Sequence, residues 1–198
     1  MNIKEKRVQF FLDCIKDRKG CRILDIGCQD GFLCHHLKQC GHEPYGVEIV
    51  EQLVLEAQSK YPSITFVQAD CEIEIPFEDG FFDIVWAGDV IEHVRHTDIF
   101  INQINRVLKI GGLFILSTPM HNRIKNAIIC LYNFEKHFDP EFPHLRFYSL
   151  KSLRSVLEKR GFVIKSVKYI GRVAPLAKSI CVVSEKKENR QLFSKHRY

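Results

Sequence analysis

Short apolar runs alternate with amphipathic segments along most of the chain. The runs predict buried strands at residues 21–28, 45–49, 64–68, 82–86, 113–117, 162–168 and 179–184. The segments with apolar residues every three or four positions predict helices at residues 5–17, 32–39, 51–60, 98–108 and 149–160. Ser149 is predicted to cap the last helix, and Gly111-Gly112 is predicted to end the fourth.

Strands that alternate with helices predict an α/β fold with a doubly wound, mostly parallel sheet of seven strands and helices on both faces. The last two strands have no helix between them, which predicts an antiparallel hairpin at one edge. We expect a single domain over residues 18–185, preceded by an N-terminal helix (1–17) and followed by a basic tail (186–198).

The composition is that of an ordinary globular protein, with 45% hydrophobic and 27% charged residues. The net charge of +5 is spread along the chain, so a nucleic-acid partner is not expected. The eight cysteines form no CxxC pair, and the first ten residues lack the apolar core of a signal peptide. We therefore expect reduced thiols and a cytoplasmic location, and no apolar run is long enough to span a membrane.

Ligands of such sheets bind beyond the carboxyl ends of the strands, and four predicted strand ends carry suitable residues. A glycine-rich turn, Asp25-Ile26-Gly27-Cys28-Gln29-Asp30-Gly31, follows the first strand, and Glu48 ends the second. An acidic side chain at that second position can accept hydrogen bonds from both hydroxyls of a ribose.

Asp70 follows the third strand, where a carboxylate can accept from an adenine amino group, and Gly88 leaves room for a ligand after the fourth. Each residue alone has an ordinary explanation as a turn, a cap or a solvated charge, but four aligned strand ends favour one ligand site. A dinucleotide site fits less well, because its third glycine is missing.

The order of the motifs DIGCQDG, GVEI, QADC, FFDIVWAGDVIEHV, RVLKIGGLFILSTP and HLRFYSLKSLRSVLEKRGF resembles the class I, Rossmann-like S-adenosylmethionine-dependent methyltransferases over residues 18–185. The resemblance implies S-adenosylmethionine as cofactor and S-adenosylhomocysteine as product. It places the methionine part at Gly27 and its neighbours, the ribose at Glu48 and the adenine at Asp70. The cofactor-binding residues that it implies are Asp25, Gly27, Cys28, Gly31, Glu48, Ile49, Asp70, Cys71 and Gly88. The family usually has a glycine where this chain has Gln29.

Methylation of a hydroxyl needs a group that takes its proton, and histidine is the usual base near neutral pH. The predicted catalytic residues are His93, Glu92 and His144. Together with Asp89 they resemble the metal-binding set of quinone-biosynthesis O-methyltransferases and of small-RNA 2′-O-methyltransferases. The first carboxylate there is a glutamate, whereas this chain has the shorter Asp89, and a divalent metal is therefore possible but not expected.

The sequence favours O-methylation of a small-molecule acceptor. Two alternatives are an RNA 2′-O-methyltransferase that uses a divalent metal and a non-catalytic protein that binds S-adenosylmethionine. Residues 119–148 are predicted to be irregular or partly helical and rich in histidine and aromatic residues. This segment, which includes Pro140, Phe142 and Pro143, fits either an acceptor-side lid or a helix that buttresses the sheet. The acceptor and the oligomeric state have no signal in the sequence.

Overall fold

The structure is a computed structural model that describes residues 1–139, 141, 144–172 and 174–188. The expectations that concern Pro140, Phe142, Pro143 and tail residues 189–198 therefore lie outside the described residues. The strands are β1 (Arg22–Ile26), β2 (Glu43–Glu48), β3 (Thr65–Gln68), β4 (Phe82–Gly88), β5 (Leu108–Pro119), β6 (Phe162–Ile170) and β7 (Ser179–Lys186). The helices are α1 (Ile3–Ile15), α2 (Phe32–Gln39), α3 (Glu51–Lys60), α4 (Thr97–Val107), α5 (Arg123–Tyr132), α6 (Phe134–His137) and α7 (Leu150–Glu158).

The seven strands form one sheet in the order β3-β2-β1-β4-β5-β7-β6. The first five strands pair in parallel, whereas β7 runs antiparallel to both β5 and β6. The predicted fold class, a doubly wound sheet with an antiparallel hairpin at one edge, is confirmed. The order of strands reverses between β1 and β4, which is the position where such sheets bind ligands.

The helices cover both faces of the sheet because successive side chains of a strand point to opposite faces. Ile23 of β1 packs in a cluster with Phe11 of α1 and Leu37 of α2. The next residue, Leu24, packs on the other face with residues of α4 and α7. Helix α3 lies beside α2, where Val54 and Ala57 pack against Cys28, Cys34 and Phe66.

The predicted start of the fifth strand, residue 113, is wrong by five residues, and Gly111-Gly112 does not end the fourth helix. The helix ends at Val107, and β5 begins at Leu108, so that Gly111 and Gly112 lie inside the strand. The pairing with β4 jumps from Phe82–Leu108 to Ile84–Leu113, which leaves residues 109–112 as a bulge. Gly111 has a φ of 78°, a conformation that glycine adopts readily.

The boundary of the predicted tail also differs from the expectation. Lys186 is the last residue of β7 and is buried, with its Nζ donating to the carbonyl oxygen of Leu108 at 2.6 Å. That carbonyl follows the end of α4, where a cation is favourable. The sheet therefore includes Lys186, the first residue of the segment that the sequence predicts to be a basic tail.

The described part of residues 119–148 contains two helices that stand away from the core. Neither α5 nor α6 has a buried residue, although α5 carries exposed apolar side chains such as Ile124, Ile128 and Leu131. This arrangement disfavours a helix that buttresses the sheet. Within the part of the chain that the structure describes, no helix has the length and apolar character needed to cross a membrane.

Candidate functional site

A cavity of about 330 Å³ opens at the carboxyl ends of β1, β2, β3 and β4. It lies at the point where the order of strands reverses, as expected for this type of sheet. Six of the residues that the sequence selected for cofactor binding line it: Gly27, Glu48, Ile49, Asp70, Cys71 and Gly88. Asp25, Cys28 and Gly31 are not among the lining residues. Asp25 lies in β1, and Cys28 and Gly31 lie in the turn that follows this strand.

The turn after β1 is shaped by its glycines. Gly27 has a φ of 74°, and its amide donates to the carbonyl oxygen of Val47 at 2.8 Å. A Cβ at Gly27 would come within 3.0 Å of Val90 Cγ2, so a side chain there would press on the cavity wall. Gly31 has a φ of 77°, and a Cβ would meet the ring of Phe66 at 2.6 Å. Gly31 therefore serves the packing of the turn against the sheet.

Gln29 stands where the family resemblance of the sequence implies a glycine, and its backbone has a conformation that glycine adopts readily. Its φ is 50°, in the left-handed region that residues with a Cβ rarely adopt. The backbone amide of Gln29 donates to Glu48 Oε2 at 3.1 Å, and its side-chain oxygen accepts from Lys4 Nζ at 2.9 Å. The chain keeps the turn without the glycine by bonding the residue at both its backbone and its side chain.

Glu48 is the last residue of β2, its carboxylate lines the cavity, and the residue is 7% exposed. Its Oε1 accepts from the amides of Ile49 at 2.9 Å and Val50 at 3.2 Å, while Oε2 accepts from Gln29. Three backbone amides thus fix the orientation of this carboxylate. Each oxygen keeps acceptor capacity, because an ionised carboxylate has about four lone-pair sites.

Asp25 lies beneath the turn, in the interior. It is 4% exposed, and the thiol of Cys34 donates to its Oδ2 at 3.8 Å. Burial raises the pKa of Asp25 to about 7, and the charge of Glu48 adds to the rise, while the Cys34 hydrogen bond and Lys4 oppose it. A carboxyl with a pKa near neutrality can hold or release a proton at physiological pH.

Asp70 caps a turn and also lies on the cavity wall. Its Oδ1 accepts from the amide of Glu72 at 2.8 Å, so it caps the turn that follows β3. It also lines the cavity, next to Ala69 and Cys71. The amide of Ala69 donates to the carbonyl oxygen of Glu48 at 3.1 Å, which holds the ends of β2 and β3 together.

Asp89 lines the cavity beside Gly88, but its carboxylate is already engaged. It forms an ion pair with Arg7 of α1, and Ser117 Oγ donates to its Oδ1 at 3.1 Å. The carboxylate and imidazoles that lie within 4.8 Å of one another among the described residues are those of Glu92, His93 and His144. The four-residue set with Asp89 that the sequence suggested is therefore not what the structure brings together.

The cluster of Glu92, His93 and His144 borders the cavity through His93, which lines it. Glu92 is 1% exposed; Thr118 Oγ1 donates to its Oε2 at 2.9 Å, and its buried Oε1 accepts no hydrogen bond within the described residues. Burial raises the pKa of Glu92 to about 7, while backbone hydrogen bonding, the Thr118 hydroxyl and Arg7 lower it.

The backbone brings His144 to this cluster from a distant part of the sequence. The amides of Leu145 and Arg146 both donate to the carbonyl oxygen of Glu92, at 2.8 and 3.0 Å. The rings of His93 and His144 then meet edge to face, with their centroids 4.8 Å apart. Burial lowers the pKa of His144, and electrostatic interaction with the neighbouring His93 lowers it further.

The two other histidines of the 119–148 segment lie outside this cluster. His121 packs against Phe147 with ring centroids 4.6 Å apart, and it also lies near His137. Burial lowers the pKa of His121 to about 4, although its Nδ1 hydrogen bond with Asn126 opposes the change. These contacts give His121 a packing role at the base of the segment.

Sequence reasoning missed several residues of the site. Val90, Val94 and Phe100 line the cavity, and their apolar periodicity was the available signal. Arg7 reaches Asp89 across 82 positions of the sequence, and no local pattern could have paired them. The contact depends on α1 packing next to β4, which only the fold supplies.

Comparison with known proteins places this arrangement in a family. Residues 3–167 match the model of a family described as a methyltransferase domain. The mitochondrial ubiquinone biosynthesis O-methyltransferase of Mus musculus is 28% identical over 162 residues, which are 77% of this chain and 44% of that protein. The ubiquinone biosynthesis O-methyltransferase of Bradyrhizobium sp. (strain ORS 278) is 36% identical over 115 residues, which are 56% of this chain and 44% of that protein. The chain thus spans less than half the length of these two relatives.

Solved structures show the same fold at low sequence identity. The crystal structure of an S-adenosylmethionine-dependent methyltransferase from Mesorhizobium loti matches with a TM-score of 0.72 and 16% identity. The match covers 93% of this chain and 98% of that one. A second structure, of a SAM-dependent methyltransferase from Aquifex aeolicus, matches with a TM-score of 0.68 and 18% identity, over 89% of this chain and 88% of that one.

Proposed function

We propose that this chain, which belongs to the class I S-adenosylmethionine-dependent methyltransferases, transfers a methyl group to a hydroxyl oxygen of a small molecule. The observation that carries the proposal is the cavity at the strand ends, which joins the fixed carboxylate of Glu48 to the imidazole of His93. One end of such a cavity suits a nucleoside, and the other offers a proton acceptor beside it.

The residues of the cavity fit S-adenosylmethionine, which supplies a methyl group on a sulfonium that is already a good leaving group. Glu48 would accept hydrogen bonds from the ribose hydroxyls, since backbone amides fix its carboxylate while leaving lone pairs available. Asp70 would bind the adenine amino group, and Gly27 and Gly88 would leave room for the chain that carries the sulfur. Cys71 and Ile49 would contribute walls on the adenine and ribose sides.

Three other predicted residues act from outside the cavity in this proposal. Asp25 would hold the turn from below, where it is buried next to Cys34. Cys28 and Gly31 would serve the same turn by packing against the sheet. These residues set the position of Gly27 and Gln29, which form the surface that the cofactor would meet.

His93 would act as the base. As the acceptor oxygen attacks the methyl carbon and the carbon–sulfur bond breaks, the hydroxyl proton would pass to the imidazole of His93. Glu92 and His144 would position that ring, because the backbone of Glu92 holds the loop that carries His144 against it. The positive charge that the imidazole gains would be stabilised by the nearby carboxyl of Glu92.

The same three residues also fit a divalent cation, which is a second way to activate a hydroxyl. A carboxylate and two imidazoles within 4.8 Å of one another, one carboxylate oxygen being without a hydrogen bond, match the ligands that Mn²⁺ and Fe²⁺ accept. A bound ion would lower the pKa of the acceptor hydroxyl, and His93 would then be a ligand. The effect of a chelator on turnover separates the two.

The segment 119–148 is proposed as an acceptor-side lid. It leaves the sheet just after Thr118, which holds Glu92, and its far end, at His144, returns to His93. Its helix α5 exposes Ile124, Ile128 and Leu131 and buries nothing. Exposed apolar side chains on a segment whose two ends reach the cluster favour an acceptor with an apolar part.

The two relatives support oxygen as the acceptor atom, because both are named as O-methyltransferases of ubiquinone biosynthesis. A hydroxyl on a small ring compound fits that description and fits a base that lines the cavity.

The cofactor site is tested by calorimetry with S-adenosylhomocysteine. We expect the wild type to bind it, and Glu48→Ala to weaken binding about 100-fold, since about 2.7 kcal/mol is a reasonable loss for a buried carboxylate with two ligand hydrogen bonds. Glu51→Ala is the matched control, because Glu51 is exposed in the first turn of α3. Wild-type protein that does not bind the product would refute the proposal.

The catalytic step is tested with methyl-labelled cofactor and a panel of small hydroxylated aromatic compounds. We expect His93→Gln to lower turnover about 100-fold or more, with unchanged affinity for S-adenosylhomocysteine. Turnover of the same acceptor by His93→Gln at the wild-type rate would remove His93 from the mechanism. Absence of turnover with every acceptor, despite product binding, would favour the non-catalytic alternative.

A further inference from the structure

Among the described residues, two other than glycine have a positive φ, and both line the cavity. Gln29 follows β1 with a φ of 50°, and Asp89 follows β4 with a φ of 56°. Strands β1 and β4 are neighbours in the sheet, so the two turns border the same cleft. A residue with a Cβ keeps this conformation only when its surroundings hold it there.

Side chains from the first two turns of α1 bond to both of these residues. Lys4 Nζ donates to Gln29 Oε1 at 2.9 Å. Arg7 forms an ion pair with Asp89 through Nη1, and its Nε donates to Ser179 Oγ at 2.9 Å. Lys4 and Arg7 are three positions apart, so they project from the same side of the helix.

The helix that carries these two cations is fixed to the sheet. Phe10, Phe11 and Ile15 of α1 are buried. The ring of Phe11 stacks on Trp86 with centroids 4.7 Å apart, and Trp86 lies two positions before Gly88 in the same strand. The packing of α1 therefore sets where Lys4 and Arg7 stand relative to the cavity.

We propose that Lys4 and Arg7 are positioning residues of the cofactor site, which hold Gln29 and Asp89 in the conformations that form the walls of the cavity. The inference rests on the proposed function, since it takes the cavity to be the site of S-adenosylmethionine. Arg7 contributes more than Lys4, because the Arg7 side chain is 15% exposed, whereas Lys4 and Gln29 both lie at the surface. A glycine at position 29 or 89 would not need such support.

The first measurement is the Kd of S-adenosylhomocysteine by calorimetry for single variants in α1. We expect Arg7→Ala to raise the Kd about tenfold and Lys4→Ala about twofold, because the first loses a mostly buried ion pair and the second an exposed bond. Lys6→Ala is the matched control, since Lys6 is an exposed lysine of the same helix, and its Kd should equal that of the wild type.

The second measurement distinguishes positioning from direct contact with the cofactor. If Arg7 acts by holding Asp89, then Asp89→Gly in the Arg7→Ala background returns the Kd to within about threefold of the wild type, because glycine adopts the turn unaided. If Arg7 instead touches the cofactor, the glycine restores nothing, and the proposal is wrong for that residue. In the same way, Lys4→Ala should not change the Kd of S-adenosylhomocysteine when it is made in the Gln29→Gly background.

The binding measurements distinguish a failure of this inference from a failure of the proposed function. A wild type that does not bind S-adenosylhomocysteine overturns the function and this inference together. A wild type that binds, with Arg7→Ala binding equally well, overturns the inference alone. If Arg7→Ala does not fold, the Kd values of Lys4→Ala, Gln29→Gly and the double variant still test the inference. Both side chains lie at the surface, so these variants are expected to fold.

Discussion

Replacing Asp25 with asparagine should change how the stability of this protein depends on pH. Asp25 is buried, and burial together with the charge of Glu48 raises its pKa from the ordinary value of 3.8 to about 7. Below about pH 4 the carboxyl is protonated in both the folded and the unfolded chain. Between about pH 4 and pH 7 only the unfolded chain releases the proton, so the folded state binds more protons and loses stability as the pH rises.

The magnitude follows from the two pKa values. The full difference of about three pKa units corresponds to about 4 kcal/mol, and about 3 kcal/mol of it falls between pH 4.5 and 7.5. Asparagine has the same shape and no charge, so the stability of Asp25→Asn does not include this decrease with rising pH. We therefore expect the free energy of unfolding of Asp25→Asn, relative to that of the wild type, to be about 3 kcal/mol larger at pH 7.5 than at pH 4.5, which means that the variant is relatively more stable at the higher pH.

The assay is urea unfolding of the ligand-free protein at the two pH values and constant ionic strength. Asp13→Asn is the control, because Asp13 is exposed on α1, and its difference from the wild type should not change with pH. The difference in unfolding free energy between Asp25→Asn and the wild type is compared at the two pH values. The change in stability caused by placing an amide beside Cys34 is the same at both and therefore cancels. An Asp25→Asn variant whose stability tracks that of the wild type at both pH values would refute the elevated pKa.

Three shorter predictions follow from other parts of the structure. Gly46→Ala should cost about 1–3 kcal/mol in urea unfolding, because a Cβ there would lie 2.4 Å from the ring of Phe66; equal stability would show that Phe66 moves freely. Dialysis against EDTA should leave turnover unchanged if His93 is the base, whereas a loss that Mn²⁺ restores would assign the Glu92 cluster to a metal. Ile128→Ser on α5 should raise the KM for an apolar acceptor while leaving the Kd of S-adenosylhomocysteine and the melting temperature unchanged; an unaltered KM would remove α5 from the acceptor site.

The elements with local signals were predicted well from the sequence. Helices α2 and α3 have the predicted bounds, because the glycine turn before α2 and Tyr61-Pro62 after α3 delimit them locally. Ser149 caps α7 through a bond to the amide of Ser152, as expected. The fold class followed from the alternation of such elements.

The errors and omissions came from interactions between distant residues. The bulge in β5 depends on its pairing with β4, so the glycines that looked like a helix end could not be placed correctly. Asp89 was grouped with Glu92 and His93 on the basis of sequence proximity, yet its partner is Arg7 of the N-terminal helix. Proximity in sequence was a correct guide for Glu92 and His93, which do meet, but not for Asp89.

The position of β7 within the sheet has a consequence for how the protein is made. Although β7 is the last strand along the described chain, it lies between β5 and β6, and it supplies hydrogen bonds to both. During synthesis the other six strands leave the ribosome first, and β5 keeps an open edge until Ser179 and the residues after it emerge. An unpaired edge next to apolar side chains is a site for association with other chains. Polypeptides that end before Ser179 should therefore aggregate, and nascent chains of that length should be the ones that chaperones retain.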